Sequence, residues 1–361
     1  MKGDCLMSIA EQDKFEFGIY TFGEIIPDPI ARKIISAEER IQNIIETAKL
    51  ADEVGLDIFG LGEHHRLDFA VSATPVVLAA IAQATKNIRL ASATTVLGTA
   101  DPVRVFEDFS TVDLISGGRA EIMAGRGAFI ESFPLFGYNL DDYHELFEEK
   151  LQLLQELNNS ERVTWQGKFR SPLNNSEIAP RPKQNKIPIW RGVGGTPASA
   201  VRTGQAGFGM ALSILGGNPL YVKPLVEAYR QAGISAGHAQ EDLKVAITSH
   251  GYIGKTAEQA VNEFHPYYSN YIRTMMRRNV PKEQVTAAVS KNDALAVGGP
   301  EEIVEKILYQ HELFGHDRFI MQLDICQPFS QVASAIELLA TKVMPVVRRE
   351  IKKINKKVNI S

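Results

Sequence analysis

ATKNIRLASATTVLGTADPVRVFEDFSTVDLISGGRAEIMAGRG, residues 84–127, predicts one complete strand–helix–strand unit. Its residues 88–93 form a short run of apolar and small side chains, which indicates a β-strand. Pro102 begins a segment of helical period that ends at Gly117 and Gly118, and residues 120–124 form the next apolar run. Two strands connected through a helix are typical of a parallel sheet.

The same alternation extends through the rest of the chain in both directions. Further strands are predicted at residues 15–20, 57–61, 188–193, 207–213, 244–253 and 318–323. A first helix is predicted after a capping box formed by Ser36 and Glu39, and a last one after Pro328. Other helices are predicted at residues 75–84, 141–157, 198–206, 219–232, 256–278 and 300–314. Eight strands, each followed by helix, favour an α/β fold of the closed (β/α)8 TIM-barrel type over an open doubly wound sheet.

Two polar stretches, residues 162–186 and 279–298, interrupt this alternation. We interpret them as loop insertions that fold over the mouth of the barrel as lids. Because the pattern resumes after each, residues 15–361 are expected to form a single barrel domain. Residues 1–14 lack an apolar run and are expected to be a flexible leader.

Composition excludes several classes of protein. The net charge of −4 leaves no basic field for a nucleic acid, and a run of four lysines between residues 352 and 357 suits the C-terminus of a helix. Cys5 and Cys326 give neither a disulfide framework nor metal-site spacing. No stretch approaches the roughly 18 apolar residues of a membrane span. We therefore expect a cytoplasmic protein that binds neither membrane nor nucleic acid.

Candidate site residues follow the predicted strands, because the active site of a (β/α)8 barrel lies where the βα loops begin. GLGEHHR, residues 60–66, places Glu63, His64 and His65 directly after the second strand. Histidine titrates near neutral pH and can act as a general base. We favour one catalytic histidine with the other orienting a loop, while a metal site and a purely structural role stay open.

Three more strand ends carry candidate residues. Small and hydroxyl side chains in ASATTVLG, residues 91–98, let a flat ligand approach the backbone, or they fill the barrel interior. Arg126, between two glycines, suits a phosphate or a surface ion pair. The turn VGGTPAS, residues 193–199, offers N–H groups and the hydroxyls of Thr196 and Ser199 at a helix N-terminus, which suits an anion or an ordinary capped turn.

These landmarks, in this order, resemble the bacterial luciferase-like monooxygenase family over nearly the whole chain. The resemblance is carried by residues 84–127 and by GLDIFGLGEHH at 55–65, PIWRGVGGTPAS at 188–199 and VGGPEEIVEKI at 297–307. Within the family the chain is most similar to a branch of uncharacterised oxidoreductases rather than to the light-emitting enzymes.

The resemblance implies a barrel that binds FMN at its C-terminal mouth. His64 matches the family's catalytic histidine, and Glu63 would lie beside the flavin. A cis peptide bond between Ala93 and Thr94 would lie under the isoalloxazine ring, and Arg126 would contact the phosphate. The remaining phosphate contacts would come from the turn residues Gly194, Gly195, Thr196 and Ser199.

Two positions depart from the family pattern. The light-emitting enzymes have a reactive cysteine where this chain has Gly125, so light emission is not expected. A second basic phosphate contact falls at His144, which carries only a partial charge at neutral pH and predicts weaker phosphate affinity.

The function implied is that of an FMN-dependent monooxygenase, which oxygenates a small organic substrate with reduced flavin and O2. The reduced flavin would come from a partner flavin reductase or directly from NAD(P)H, and the protein would form a homodimer. The alternatives are a flavin- or deazaflavin-dependent reductase or dehydrogenase without oxygen, and a catalytically idle flavin-binding barrel.

Overall fold

Strands and helices alternate through the computed structural model, which describes residues 14–358. Residues 1–13 of the predicted leader, with Cys5, lie outside the described residues. The strands are β1 (Glu16–Thr21), β2 (Ile58–Leu61), β3 (Arg89–Ser92), β4 (Thr95–Val96), β5 (Ala120–Gly125), β6 (Arg162–Trp165), β7 (Leu173–Glu177), β8 (Ile189–Val193), β9 (Gly209–Ser213), β10 (Val245–Ile253), β11 (Ala296–Gly298) and β12 (Arg318–Gln322).

The helices surround the strands. They are α1 (Ala37–Glu53), α2 (Thr74–Ala84), α3 (Pro102–Ser116), α4 (Ser132–Leu135), α5 (Tyr143–Asn159), α6 (Pro197–Gln205), α7 (Lys223–Ser235), α8 (Ala257–Met276), α9 (Lys282–Ala287), α10 (Pro300–Phe314), α11 (Phe329–Leu338) and α12 (Met344–Val358). At the start of α1, the Ser36 hydroxyl accepts a hydrogen bond from the Glu39 backbone N–H at 3.0 Å. This bond is one half of the predicted capping box.

The sheet closes into a barrel of eight parallel strands within the described chain. Its ring order is β1, β2, β3, β5, β8, β9, β10 and β12, and it closes because β12 pairs with β1. Each predicted strand has its counterpart in this ring. The predicted (β/α)8 barrel is therefore confirmed.

The core has two parts because side chains alternate along each strand. Outward side chains such as Phe17 and Phe59 belong to one large core cluster with helix residues such as Phe106 and Phe109, and all four are fully buried. Burying one such side chain stabilises the fold by about 1.5–3 kcal/mol. A smaller cluster fills the barrel interior and consists of Tyr20, Ala93, Met123, Trp190, Ala211, Ala246 and Ile320.

Both predicted insertions contain regular structure and neither lines the mouth. Residues 162–186 include the antiparallel pair β6 and β7, which lies outside the barrel where backbone N–H groups of residues 168–170 bond to Glu149 on α5. Residues 279–298 contain α9 and β11. The wall of the mouth cavity takes residues from α8 rather than from either segment, and the role of the two segments as lids stays a prediction.

The described residues can be searched for a membrane-spanning helix and for a metal site. Across residues 14–358, no helix combines the length and apolar character that crossing a membrane requires. In the same residues, no group of three or more histidine, cysteine, aspartate or glutamate side chains is arranged to hold a metal ion.

Candidate active site

A cavity of about 540 Å³ opens at the C-terminal ends of the barrel strands. It collects six of the nine predicted site residues: Glu63, His64, Ala93, Thr94, Arg126 and Gly194. The other three, Gly195, Thr196 and Ser199, lie just beyond its wall at the start of α6. A wider groove of about 790 Å³ lies on the outside between α10 and α12 and contains none of the predicted residues.

His64 lies in a box of aromatic rings. Its ring centroid is 4.1 Å from that of Phe69, and the rings of Phe22 and Phe129 approach it edge-on at 5.0 and 5.2 Å. Burial, with the nearby charge of Arg66, lowers the pKa of His64 to about 4. His64 is therefore neutral at pH 7, and its imidazole can accept a proton or a hydrogen bond.

Glu63 and His65 brace the loop that carries His64. His65 Nε2 lies 2.9 Å from Glu63 Oε1, and Glu63 Oε2 accepts a hydrogen bond from the Val96 backbone N–H at 3.0 Å. The carboxylate therefore connects the end of β2 to β4. This arrangement fits the prediction that one histidine of the pair orients a loop.

The Ala93–Thr94 peptide bond is cis, as the family resemblance implied. Thr94 also explains the glycine at position 125. A Cβ atom added to Gly125 would lie 2.3 Å from Thr94 Oγ1, which is far inside van der Waals contact. A cysteine at this position would require Thr94 to move, so the residue that fits at position 125 depends on Thr94.

A second part of the cavity wall carries positive charge and open backbone. Arg126 Nη1 lies 2.8 Å from His144 Nδ1, and its guanidinium lies 5.3 Å from the ring centroid of Tyr143. Nothing lies within 4 Å of a Cβ atom built on Gly194 or Gly195. This part of the wall suits a phosphate, because a guanidinium and free N–H groups at a helix N-terminus both favour an anion.

The turn residues beyond the wall differ in exposure. Thr196 is the N-cap of α6 and makes no capping hydrogen bond through its side chain. Ser199 is buried, and its hydroxyl has no hydrogen-bond partner among the described residues. The donors in this part of the cavity fit an FMN phosphate, whereas direct contact by Ser199 stays a prediction.

Sequence reasoning missed much of the cavity wall. The inward face of β10 supplies Thr248 and His250, and α8 supplies Tyr271, Met275 and Met276. The first two were discoverable, because every second residue of a barrel strand faces the interior. The α8 residues were not, since the path of this helix across the mouth depends on tertiary packing.

A buried ionic cluster lies behind the cavity. Glu24 Oε1 accepts a hydrogen bond from Gln322 Nε2 at 2.7 Å, and Glu24 Oε2 lies 3.5 Å from Arg40 Nη2. Arg40 also pairs with Asp324 at 2.6 Å. Burial raises the pKa of Glu24 to about 7 although Arg40 opposes this shift. Arg40 is thus shared by the carboxyl groups of Glu24 and Asp324.

Glu24→Gln is expected to remove a pH dependence of stability. Glu24 ordinarily titrates near pH 4.5 but near pH 7 in the fold. Between these values the folded protein holds a proton that the unfolded chain has lost, so this group's contribution to the unfolding free energy falls as pH rises. The total fall is about 3 kcal/mol. Urea unfolding of both proteins from pH 5 to 8 measures this fall. If the unfolding free energies of the two proteins change in parallel with pH, the expectation is contradicted.

The comparisons with known proteins identify a family, and the relatives catalyse more than one kind of reaction. The family model of luciferase-like monooxygenases matches residues 15–317. The oxygenase component of the flavin-dependent trigonelline monooxygenase of Acinetobacter baylyi is 23% identical over 361 residues, covering 91% of this chain and 94% of that protein. An F420-dependent glucose-6-phosphate dehydrogenase of Amycolatopsis mediterranei is 28% identical over 218 residues, covering 57% of this chain and 63% of that protein.

The fold has solved counterparts as well. The crystal structure of monooxygenase RslO1 from Streptomyces bottropensis superposes with a TM-score of 0.81 at 24% identity, covering 92% of this chain and 99% of that one. The closed barrel, the cavity at its mouth and the match over residues 15–317 agree. The chain belongs to the luciferase-like monooxygenase family.

Proposed function

We propose that this protein is an FMN-dependent monooxygenase that oxygenates a small organic substrate with reduced flavin and O2. One observation carries the proposal: a single cavity combines the neutral His64 with a cationic end at Arg126. When bound, reduced FMN supplies the two electrons with which one oxygen atom of O2 becomes water while the other enters the substrate.

The residues of the chain have distinct roles in this proposal. Arg126, His144 and the open turn at Gly194 and Gly195 bind the phosphate, and the Ala93–Thr94 backbone supports the flat ring. His64 holds or accepts a proton beside the reacting atoms. The aromatic side chains around it exclude water, which protects a reactive species from hydrolysis.

We also propose a separate flavin reductase that draws on NAD(P)H. The support is the printed description of the Acinetobacter relative as an oxygenase component, which implies a second component in that system. A homodimer and a cytoplasmic location stay predictions from the sequence, and light scattering after size-exclusion chromatography tests the first.

The test of the proposed function is anaerobic mixing of the protein with reduced FMN, followed by oxygenated buffer. We expect the flavin to reoxidise at a rate different from that of free reduced FMN, with less hydrogen peroxide released per flavin. Reoxidation at the free-flavin rate with stoichiometric peroxide would overturn the proposal. Reduction of added F420 by an alcohol or a sugar phosphate would instead favour the hydride-transfer alternative, which the F420-dependent relative supports.

Arg126→Ala is expected to weaken FMN binding by about 10- to 100-fold, because a hydrogen bond to a charged group contributes about 1.5–3 kcal/mol. Riboflavin has no phosphate, so its binding should stay nearly unchanged. Quenching of flavin fluorescence measures both affinities. Arg104→Ala is the matched control, since Arg104 is an exposed residue of α3 paired with Glu107. Equal loss of FMN and riboflavin binding would contradict the assigned role.

A further inference from the structure

His250 lines the cavity, and the proposed function assigns it no role. It lies on β10, where Ala246 faces the barrel interior, so residues 248 and 250 face inward too. His250 is 2% exposed, and the rings of Tyr268 and Tyr271 approach it edge-on at 5.6 Å. Burial lowers the pKa of His250 to about 4, so this imidazole is neutral at pH 7.

The hydrogen bonding of His250 separates it from most other histidines of the chain. Five of the eight histidines bond through a ring nitrogen to another protein group: His65, His144, His238, His265 and His311. In the described chain, Nδ1 of His250 has no partner. A neutral imidazole offers one donor and one acceptor, and a buried nitrogen without a partner is unfavourable. Because His250 also lines the cavity, its imidazole is a candidate hydrogen-bonding group for a ligand there.

The wall around His250 is uncharged. Thr248 Oγ1 donates a hydrogen bond to Ser213 Oγ at 2.9 Å, and Leu215, Met275 and Met276 complete this side of the cavity. Burial raises the pKa of Tyr20 and of Tyr271 far above the ordinary range, so both hydroxyls stay protonated.

The charges of the described cavity wall lie elsewhere. Glu63 and Arg126 are the two lining residues with a carboxyl or a guanidinium group, and both oxygens of Glu63 already have partners. Arg126 lies beside His144 at the phosphate end. The Glu24 cluster lies behind Gln322 and contributes no lining residue. A charged ligand group next to His250 would lose its hydration without gaining an opposite charge.

We propose that the side of the cavity formed by Ser213, Thr248 and His250 binds an uncharged organic substrate through one carbonyl or hydroxyl oxygen hydrogen-bonded to His250. The inference rests on the proposed function and names its substrate class. The neighbouring leucine and methionine side chains contact the hydrocarbon part of the molecule, and methionine adapts to its shape.

The experiment compares four probes of similar size: cyclohexanone, cyclohexanecarboxylate, cyclohexylamine as its cation, and methylcyclohexane. Ligand-observed NMR at pH 7 measures their dissociation constants with the FMN-loaded and the flavin-free protein. We expect cyclohexanone to bind at least 100-fold more tightly than either ion. A charged probe that binds as tightly as the ketone, or no binding of cyclohexanone, overturns the proposal.

Variants of His250 test the hydrogen bond itself. His250→Phe keeps an aromatic ring and should weaken cyclohexanone binding about tenfold while methylcyclohexane binding changes less than about threefold. His250→Asn restores a hydrogen-bonding group and should recover most of the affinity. Unchanged cyclohexanone binding in His250→Phe overturns the assignment. If this variant does not fold, the proposal is still tested by the asparagine variant and by the binding of the neutral and charged probes to the unaltered protein.

The two proposals fail in different ways. Loss of the ketone preference in a protein that binds FMN overturns the substrate class and leaves the flavin function standing. Absence of FMN binding, with ketone binding that still depends on His250, overturns the flavin function and leaves the substrate class standing. Fluorescence titration with FMN, run beside the NMR series, separates these outcomes.

Discussion

His64→Phe is expected to lower single-turnover product formation by about 10²- to 10⁴-fold, the range found for positioned proton-transfer groups. Phenylalanine keeps the packing against Phe22, Phe69 and Phe129 but has no ring nitrogen to hold a proton. Binding of FMN should change less than about threefold, because the phosphate end lies on other loops. The measurement is product formed per bound flavin after reduced protein is mixed with oxygen.

His65→Gln is the matched control for this experiment. His65 bonds to Glu63, and glutamine retains a donor for the same carboxylate. We expect this variant to keep most of the activity. A folded His64→Phe protein with unaltered turnover would exclude His64 from the chemistry. Because the pKa of His64 is about 4, its protonation should not limit the rate between pH 6 and 8.

Arg318→Met is expected to lower the free energy of unfolding by about 3–5 kcal/mol. Arg318 lies at the N-terminal end of the barrel strands, where its Nη1 is 2.7 Å from Glu121 Oε2 and its Nε is 2.7 Å from Glu16 Oε2. Its guanidinium also lies 4.2 Å from the ring centroid of Trp190. Burial alone raises the pKa of Glu121, but Arg318 and Arg89 bring it to about 2. Losing Arg318 therefore leaves a buried carboxylate with one partner.

The double variant Glu121→Gln with Arg318→Met distinguishes lost charge balance from lost packing. It removes one charge of each sign and leaves Glu16 paired with Arg89, so it should be more stable than Arg318→Met alone. Arg349→Ala, which breaks an exposed pair with Glu350, is the surface control and should change stability by less than about 1 kcal/mol. Urea unfolding of the four proteins gives the comparison. A loss below about 1 kcal/mol in Arg318→Met would contradict the assigned role of the cluster.

Much of the candidate site could be predicted because it follows directly from strand ends. Glu63 and His64 come immediately after β2, and Arg126 comes immediately after β5, so the barrel geometry brings them to one mouth. In the turn at residues 193–199, Gly194 lines the cavity and Ser199 is buried, and the role of this turn in phosphate binding stays a prediction.

Other features could not be predicted from local sequence. Arg40 and Asp324 pair although 284 positions separate them, because β12 closes the ring against β1. The polar composition of residues 162–186 suggested a loop, yet their hairpin packs along the outside of α5. Polarity shows that a segment is exposed, but it does not show against which element that segment lies.

The sequence by itself determined the order of strands and helices, the barrel class and the loops that carry the candidate site residues. These properties depend on periods of two and 3.6 residues and on turn residues, which act over a few positions. The tertiary structure alone decided which side chains share the cavity, that His64 and His250 are neutral there, and that Glu24 titrates near pH 7. Burial and charge pairing depend on neighbours brought together by ring closure, and no local pattern encodes them.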